Sequence, residues 1–245
     1  MLVFLFTDIE GSTRLWEVHT AEMGGVIARH DTLLKREIEA HGGRITKHTG
    51  DGVTAAFEAG DPVACALEAQ KRFASEPWGA IGELRIRVGL HAGEAEWLPG
   101  VQAGTGDYHG PPVNCTARIM SAAWGGQILL SPAVTRVAPL PVEACLQDLG
   151  EHLLKNVSAP QQIYQRLHPE LAGQEFPPPR TLSGQSIREA VGQEGGRLAD
   201  LSPPEMAVGL ASATLLPALQ GDLSPSSPSL AGNLGVLGDL GASTL

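Results

Sequence analysis

The sequence is poor in aromatic and in basic residues. Only 4 % of its 245 residues are aromatic, and 17 lysine and arginine residues stand against 27 aspartate and glutamate residues, which gives a formal net charge of −10. General binding to nucleic acid needs clustered positive charge, and no such cluster is evident, so the composition argues against a nucleic-acid partner. A small anionic ligand is compatible with this charge if metal ions supply the positive counterpart.

Cysteine and long apolar runs are also scarce. Cys65, Cys115 and Cys145 are odd in number, widely scattered and without Cys-x-x-Cys spacing, so neither a disulfide framework nor a zinc site is indicated. The apolar start over residues 1–6 is too short for the core of a signal peptide, and no run approaches membrane-spanning length. We therefore expect a soluble, cytoplasmic protein without membrane association.

The composition changes near residue 169. Up to about residue 165 apolar, strand-like stretches alternate with amphipathic ones, whereas the sequence after Phe176 has no aromatic residue and is crowded with Gly, Ser and Pro. Such a tail buries too little apolar surface to offset the entropy lost on ordering. We predict one folded domain over residues 1–169 and a disordered tail over 170–245.

Hydrophobic periodicity and turn residues predict the order of elements in the folded part. The predicted elements are a strand over 2–6, a helix from Gly11 to about residue 40, hairpin strands over 44–49 and 53–57, a helix from Asp61-Pro62, a strand over 84–88, a helix from Pro111-Pro112 to about 125, and a strand over 127–130. This order is typical of an α+β fold, a ferredoxin-like βαββαβ sandwich with helices on a mainly antiparallel sheet and extra C-terminal strands.

Two aspartates lie in glycine-rich settings next to apolar runs. Asp8 follows the first apolar run, and Asp51 lies in the Gly50-Asp51-Gly52 turn of the predicted hairpin. A carboxylate at the end of a buried strand is costly unless a cation, usually a divalent metal, lies against it. The pair predicts a phosphoryl-transfer site with two metal ions, and the helix start at Gly11, Ser12 and Thr13 would offer backbone N–H groups to phosphate oxygens.

Asn114 and Arg118 are four residues apart on the third predicted helix, so their side chains share one face. A carboxamide and a guanidinium side by side could hold a ribose and a phosphate. An isolated pair with this spacing is more often an ordinary solvated helix face. The surrounding motifs favour the functional interpretation.

Four sequence blocks together resemble the catalytic domain of class III nucleotidyl cyclases over about residues 2 to 167. The blocks are Phe6-Thr7-Asp8-Ile9-Glu10-Gly11-Ser12-Thr13, then Lys47-His48-Thr49-Gly50-Asp51-Gly52, then Gly89-Leu90-His91-Ala92-Gly93-Glu94, and then Gly106-Asp107-Tyr108-His109-Gly110-Pro111-Pro112-Val113-Asn114 with Arg118. No single block is specific, because Gly-Asp-Gly alone occurs in many turns. Four blocks in the same order and with similar spacing are highly specific.

The resemblance implies a role for each matching position. Asp8 and Asp51, with the carbonyl of Ile9, would bind two Mg²⁺ or Mn²⁺ ions, and Asn114 and Arg118 would orient the ribose and stabilise the phosphate in the transition state.

The resemblance also implies roles for Lys47, Asp107 and Lys155. Lys47 and Asp107 resemble the pair that reads adenine, which favours ATP over GTP, and Lys155 lies where the family often has a lysine that contacts phosphate. The implied reaction is an adenylate cyclase that makes cyclic AMP and pyrophosphate in intracellular signalling.

In this family the metal-binding aspartates and the nucleotide-binding residues come from different chains. The sequence carries both sets, so the resemblance implies a head-to-tail homodimer with two complete sites. Three alternatives stay open: a nucleotide-binding regulatory module with weak or no turnover, a guanylate cyclase, and a palm-like diguanylate cyclase. The cyclase order of the motifs and the lack of a Gly-Gly-acidic-acidic-Phe turn speak against the third.

Other residues in these blocks receive simpler interpretations. Strand alternation turns Glu10 away from Asp8, which predicts a solvated or helix-capping side chain. His91 lies between apolar positions and is predicted to be a hydrogen-bonded structural histidine. The connection over residues 97–105 is longer than expected and could displace Asp107.

Overall fold

The computed structural model describes residues 1–100, 106–141, 145–171 and 175–181. The helices are α1 (Ser12–Val18), α2 (Thr20–Ala40), α3 (Pro62–Ser75), α4 (Pro111–Ala122) and α5 (Pro132–Thr135). The strands are β1 (Leu2–Ile9), β2 (Arg44–His48), β3 (Val53–Phe57), β4 (Ile86–Gly93), β5 (Glu96–Pro99), β6 (Gly106–His109), β7 (Ile128–Leu130), β8 (Cys145–His152) and β9 (Gln161–Leu167). The predicted tail lies outside the described residues except for 170–171 and 175–181.

Seven strands form one sheet in the order β2-β3-β1-β4-β7-β9-β8. Each neighbouring pair is antiparallel except β4 and β7, which run parallel. The β5–β6 hairpin forms a separate two-stranded sheet. The predicted α+β fold with a mainly antiparallel sheet is confirmed.

The sheet is covered on both faces, and the side chains of the inner strand β1 alternate between the two. Val3 and Leu5 of β1 share a core with Leu34 and Ile38 of α2 and with residues of α3. Phe4, on the opposite face of β1, packs in a second cluster against α4 and against Tyr108 of the β5–β6 hairpin. Hydrophobic burial therefore fixes α2 and α3 on one face and α4 with the hairpin on the other.

The prediction of one helix from Gly11 to about residue 40 was wrong. His19 leaves the helical region with φ −127° and ψ 42°, and it separates α1 from α2. The short α1 has no buried residue, whereas α2 buries a full face that includes Met23 and Leu33. The break lets α2 lie against the sheet while α1 stays on the surface where β1 ends.

Strand β4 runs to Gly93, five residues beyond the predicted end of that strand. Gly89 in its middle allows the close crossing of α4, since a Cβ there would come within 2.4 Å of the backbone nitrogen of Met120.

Within the described ranges no helix combines the length and apolar character needed to cross a bilayer.

Candidate functional site

Asp8 and Asp51 converge where β1 ends beside the β2–β3 turn. The N–H of Ile9 donates to the main-chain carbonyl of Asp51 at 2.9 Å, which ties the strand end to the tip of the turn. A Cβ at Gly52 would come within 2.2 Å of the Thr7 carbonyl oxygen, so only glycine allows this approach. The backbone thus brings the two predicted metal-binding aspartates together.

An arginine that the sequence motifs do not predict lies against Asp8. Asp8 is paired with Arg87 across the β1–β4 register, and the Arg87 guanidinium donates to its carboxylate. The Nε of Arg87 is buried without a hydrogen-bond partner. The alternation of Arg85 and Arg87 with apolar residues places Arg87 on the face away from the α2–α3 core, but only the strand register sets it opposite Asp8.

Burial has the largest effect on the pKa of the Asp8 carboxyl and raises it above the ordinary value. The hydrogen bond and charge of Arg87 oppose this effect, and the negative charge of Asp51 adds to it. The two carboxylates therefore repel each other across a partly buried space. This is the electrostatic setting in which a cation is stabilised.

The turn between β1 and α1 contributes a third polar group. The hydroxyl of Ser12 donates to Oδ2 of Asp51, and Gly11 adopts φ +70°, a left-handed conformation that favours glycine. Thr13 is exposed in the first turn of α1. Because α1 has seven residues instead of the predicted long helix, any contribution to phosphate binding would come from local N–H groups more than from a long helix dipole.

The chemistry of these donors fits a hard divalent cation. Two carboxylates and a main-chain carbonyl at Ile9 are oxygen ligands of the kind that Mg²⁺ and Mn²⁺ prefer. In the part of the chain that the structure describes, no cluster of three or more His, Cys, Asp or Glu side chains could hold a metal. Two aspartates would therefore need further ligands, such as the Ile9 carbonyl and phosphate oxygens of a nucleotide.

Lys47 and Asp107 also meet. The Lys47 Nζ lies 3.5 Å from Oδ2 of Asp107, and both line an open cleft of about 320 Å³ between β2 and the β5–β6 hairpin. Asp107 lies in register opposite Leu98 in the hairpin, which spans much of the long connection predicted over residues 97–105. Residues 101–105 of that connection lie outside the described residues.

An aromatic cluster holds the hairpin against β2. Arg44 donates from Nη2 to the Tyr108 hydroxyl at 2.6 Å, and its guanidinium lies 4.7 Å from the centre of the Trp97 ring. The Trp97 and Tyr108 rings meet edge to face at 5.0 Å. Arg44 is three residues before Lys47, so this cluster fixes the strand that carries Lys47 beside the strand that carries Asp107. Nothing in the motifs predicts it, because Arg44 and Tyr108 are far apart in sequence.

Asn114 and Arg118 lie on α4 as predicted, with Asn114 exposed and Arg118 half-buried. Neither side chain forms a hydrogen bond or ion pair with another described residue. Lys155 is exposed in the β8–β9 connection, and its neighbour Leu154 packs in the same cluster as Ile119 of α4. The structure brings none of these three side chains into contact with Asp8 or Asp51.

Two histidines have structural settings. His91 lies 2.7 Å from the Ser131 hydroxyl through Nδ1, so the predicted hydrogen bond is present, and its structural role stays a prediction. His30 on α2 is fully buried, with Nδ1 2.8 Å from the Asp31 carboxylate and its ring edge-on to Phe73. Burial lowers the pKa of both imidazoles.

Residues 2–165 match the family model described as the adenylate and guanylate cyclase catalytic domain. An uncharacterized protein of Mycobacterium tuberculosis is 37 % identical over 185 residues, which are 74 % of this chain and 60 % of that protein. The adenylate cyclase of Schizosaccharomyces pombe is 32 % identical over 159 residues, covering 56 % of this chain and 9 % of the yeast protein. The chain thus spans 60 % of the mycobacterial relative and a small part of the yeast one.

Solved structures with a similar fold include enzymes named for different products. A structure of adenylate cyclases from Trypanosoma brucei in their monomeric state has a TM-score of 0.67 and 25 % identity, over 73 % of this chain and 92 % of that one. The guanylyl cyclase Cya2 has a TM-score of 0.59 and 25 % identity, over 68 % of this chain and 91 % of that one. Overall similarity therefore does not distinguish ATP from GTP as the substrate.

Proposed function

The chain belongs to the adenylate and guanylate cyclase catalytic domain family, and from that premise we propose that it is an adenylate cyclase of intracellular signalling. It would convert ATP to 3′,5′-cyclic AMP and pyrophosphate at sites shared between two copies of the chain. The observation that carries the proposal is the convergence of Asp8 and Asp51 at the end of β1, tied by the hydrogen bond from Ile9 to Asp51.

The reaction joins the ribose 3′-oxygen to the α-phosphorus and breaks the bond to the pyrophosphate oxygen, while the hydroxyl proton leaves to solvent. Two divalent cations held by Asp8, Asp51 and the Ile9 carbonyl would lower the pKa of the 3′-hydroxyl and neutralise the triphosphate. No protein nucleophile is required. The chain's own residues need to hold the sugar and phosphates in line and to meet the growing charge.

Several side chains are suited to these tasks. The guanidinium of Arg118 would donate to the α-phosphate as its charge grows, and Asn114 on the same face of α4 would orient the ribose. The guanidinium of Arg87 donates to Asp8, so its positive charge would favour phosphate oxygens next to the metal-binding carboxylates. Lys155 and the N–H groups of residues 11–13 would contact the outer phosphates.

The ion pair of Lys47 and Asp107 supports ATP as the substrate. Adenine offers an amino group that donates and ring nitrogens that accept, which complements a carboxylate beside an ammonium group. Guanine carries a carbonyl oxygen in place of that amino group, and this oxygen would repel the Asp107 carboxylate. The cleft that these two residues line is open to solvent and can admit a base.

Exposed groups on both parts of the site support a dimer. Asn114 and Arg118 lack partners in the described part of the chain. Trp16 and Val18 of α1, next to the metal-binding turn, are 42 % and 64 % exposed. A head-to-tail pair would cover apolar side chains around the site and bring Asn114 and Arg118 of one copy to Asp8 and Asp51 of the other.

The test is product formation by the purified chain with Mn²⁺ and either ATP or GTP, followed by chromatography of cyclic nucleotide and pyrophosphate. We expect cyclic AMP as the main product, and Asp51→Asn should reduce its rate about a thousandfold because several kcal/mol of charge stabilisation are lost. Asp148→Asn, which changes an exposed aspartate on β8, is the matched control and should keep the wild-type rate.

The alternatives predict different results. Cyclic GMP as the main product would identify a guanylate cyclase, and saturable ATP binding without either product would identify a nucleotide-binding module. Either result contradicts the proposed function.

A further inference from the structure

The segment of residues 175–181 lies beyond the matched family region and packs onto the end of α4. The N–H of Arg180 donates to the carbonyl of Ala122 at 2.9 Å, and the Trp124 indole N–H donates to the carbonyl of Pro178 at 3.2 Å. Thr181 is buried, and its hydroxyl is 3.0 Å from Nδ1 of His152. These contacts hold the backbone on both sides of Arg180.

The side chain of Arg180 makes two contacts at once. Its guanidinium stacks over the Trp124 ring with Cζ 3.7 Å from the ring centre, and it donates from Nη2 to the carboxylate of Glu10. Both charged side chains are about one-third exposed, with 34 % for Arg180 and 29 % for Glu10. A planar guanidinium can stack and donate in its plane at the same time, whereas the ammonium group of lysine cannot.

Glu10 is the residue through which Arg180 reaches the active site. It follows Ile9 and precedes Gly11, and its N–H donates to the carbonyl of Arg85 at 2.9 Å. Its carboxylate lies over Gly125, where a Cβ would come within 2.4 Å of Oε2. The side chain is therefore held between the β1–α1 turn and the turn after α4. Glu10 is partly solvated, as predicted, but the sequence did not predict its ion pair with Arg180, which is 170 residues away.

Three prolines directly before Arg180 restrict how that segment can move. Pro177, Pro178 and Pro179 each fix their own φ, which reduces the conformational freedom that docking must remove. Pro179 is buried. The segment thus presents Arg180 at a modest entropic cost, although it lies in a part of the chain that is rich in Gly, Ser and Pro.

We propose that Arg180 is a positioning residue of the β1–α1 turn: by holding Glu10 against Trp124, it fixes the backbone between Asp8 and Ser12 relative to the end of α4. The proposal rests on the proposed function, because that turn carries Asp8, the Ile9 carbonyl and the Ser12 hydroxyl bonded to Asp51. The catalytic unit then extends to Thr181.

If Arg180 positions the turn, then replacing Arg180 or Glu10 should weaken the affinity of the site for metal ions. Groups that orient metal ligands from outside typically change metal affinity or activity by about 10–100-fold when they are removed. The pair of Arg180 and Glu10 is partly exposed, so we expect the lower end of that range.

The experiment uses the full chain and the variants Arg180→Ala, Arg180→Lys and Glu10→Gln. Amide hydrogen–deuterium exchange of peptides that cover residues 9–14 reports the order of the turn without metal. Electron paramagnetic resonance with Mn²⁺ alone reports metal affinity. Arg29→Ala is the matched control, since it removes a bidentate surface ion pair between Arg29 on α2 and Glu76, the residue that follows α3.

We expect Arg180→Ala and Glu10→Gln to speed exchange in the turn and to weaken Mn²⁺ binding about tenfold. Arg180→Lys should fall between Arg180→Ala and the wild type, and the double variant Glu10→Gln/Arg180→Ala should be no worse than either single variant. Arg29→Ala should match the wild type in both measurements.

Unchanged exchange over residues 9–14 in both Arg180→Ala and Glu10→Gln would overturn the proposal. Faster exchange with unchanged Mn²⁺ affinity would also overturn it, because Arg180 would then have a structural role alone. A wild-type chain that binds no Mn²⁺ contradicts the proposed function instead, and this outcome is distinct from wild-type binding that Arg180→Ala leaves intact.

Discussion

The two sides of the candidate site differ in how far their side chains are already paired within the chain. The metal side consists of Asp8, Asp51, Ile9 and Arg87, and the nucleotide side consists of Lys47, Asp107, Asn114 and Arg118. On the metal side both predicted carboxylate ligands are engaged within the chain, Asp8 with Arg87 and Asp51 with Ser12, and the N–H of Ile9 ties the strand end to the Asp51 carbonyl. On the nucleotide side Lys47 and Asp107 contact each other at an open cleft, and Asn114 and Arg118 have no described partner.

This difference has a physical cause. Carboxylates next to buried strands are costly unless they have polar partners, and here the chain supplies an arginine to Asp8 and a hydroxyl to Asp51. Asn114 is exposed and Arg118 is only half-buried, so water can hydrate both side chains and they need no protein partner before a ligand binds. The metal side is thus preorganised by folding, whereas the nucleotide side would be completed by substrate and a second copy.

The strongest test of this division mixes two defective chains. Asp51→Ala damages the metal side and Arg118→Ala the nucleotide side, and each alone should lose at least about a hundredfold in rate. An equal mixture should regain about a quarter of the wild-type rate, because half of the dimers are mixed and each mixed dimer has one intact site. Cyclic AMP formation measures the recovery.

Two controls make the mixture decisive. Size-exclusion chromatography should give the same dimer fraction for both variants and for the wild type, and a mixture of Asp51→Ala with Asp8→Ala should stay inactive. Variants that pair normally yet show no recovery would mean that both sides act within one chain.

The sequence predicts much of the metal side because its signals are local. Asp8 and Asp51 are each flanked by apolar runs and glycines, which predict a strand end and a tight turn within ten residues. Arg87 needs the register of β1 against β4, which no local pattern contains. The break at His19 was missed for the same reason, because it depends on how α2 packs against the sheet.

Longer-range contacts explain the remaining differences. The meeting of Lys47 and Asp107 was expected only from the family resemblance, and the contacts of Arg44 with Tyr108 depend on how the β5–β6 hairpin packs on β2. The contact of Arg180 with Glu10 joins two ends of the folded region. Composition placed residues 175–181 in the predicted tail, since prolines and few apolar residues give no sign of docking there.

The second test exchanges the charge pattern on the nucleotide side alone. The double variant Lys47→Glu/Asp107→Ser should lower the ratio of ATP to GTP in kcat/KM about a hundredfold, since a carboxylate now faces the N–H groups of guanine and the repulsion of its oxygen is gone. Lys35→Glu, a change at an exposed lysine of α2, is the control for added negative charge. An unchanged ratio would mean that Lys47 and Asp107 do not read the base.

A smaller effect is expected from loosening the hairpin that carries Asp107. Arg44→Met removes the donor to Tyr108 and the contact with Trp97, and it should cost about 1 kcal/mol in the free energy of unfolding. The KM for ATP should rise more than kcat falls, because Asp107 loses its support while the metal side is untouched. Arg29→Met, which removes an ion pair elsewhere, should cost stability without changing KM. Equal effects of both variants on KM would contradict this link.

The smallest expected effect concerns how the free energy of unfolding depends on pH through the buried His30. Burial lowers the pKa of His30 below its ordinary value of 6.5, so the folded state holds this imidazole neutral. Its contribution to stability is therefore complete above about pH 6.5 and declines as the pH falls below that value, because the unfolded chain takes up the proton first. Urea unfolding between about pH 7.5 and 5.5 should show a smaller loss of stability in His30→Gln than in the wild type. Parallel pH dependences of stability in the two proteins would show that the imidazole of His30 does not contribute to the loss of stability in acid. Protonation of carboxylates would then explain the loss.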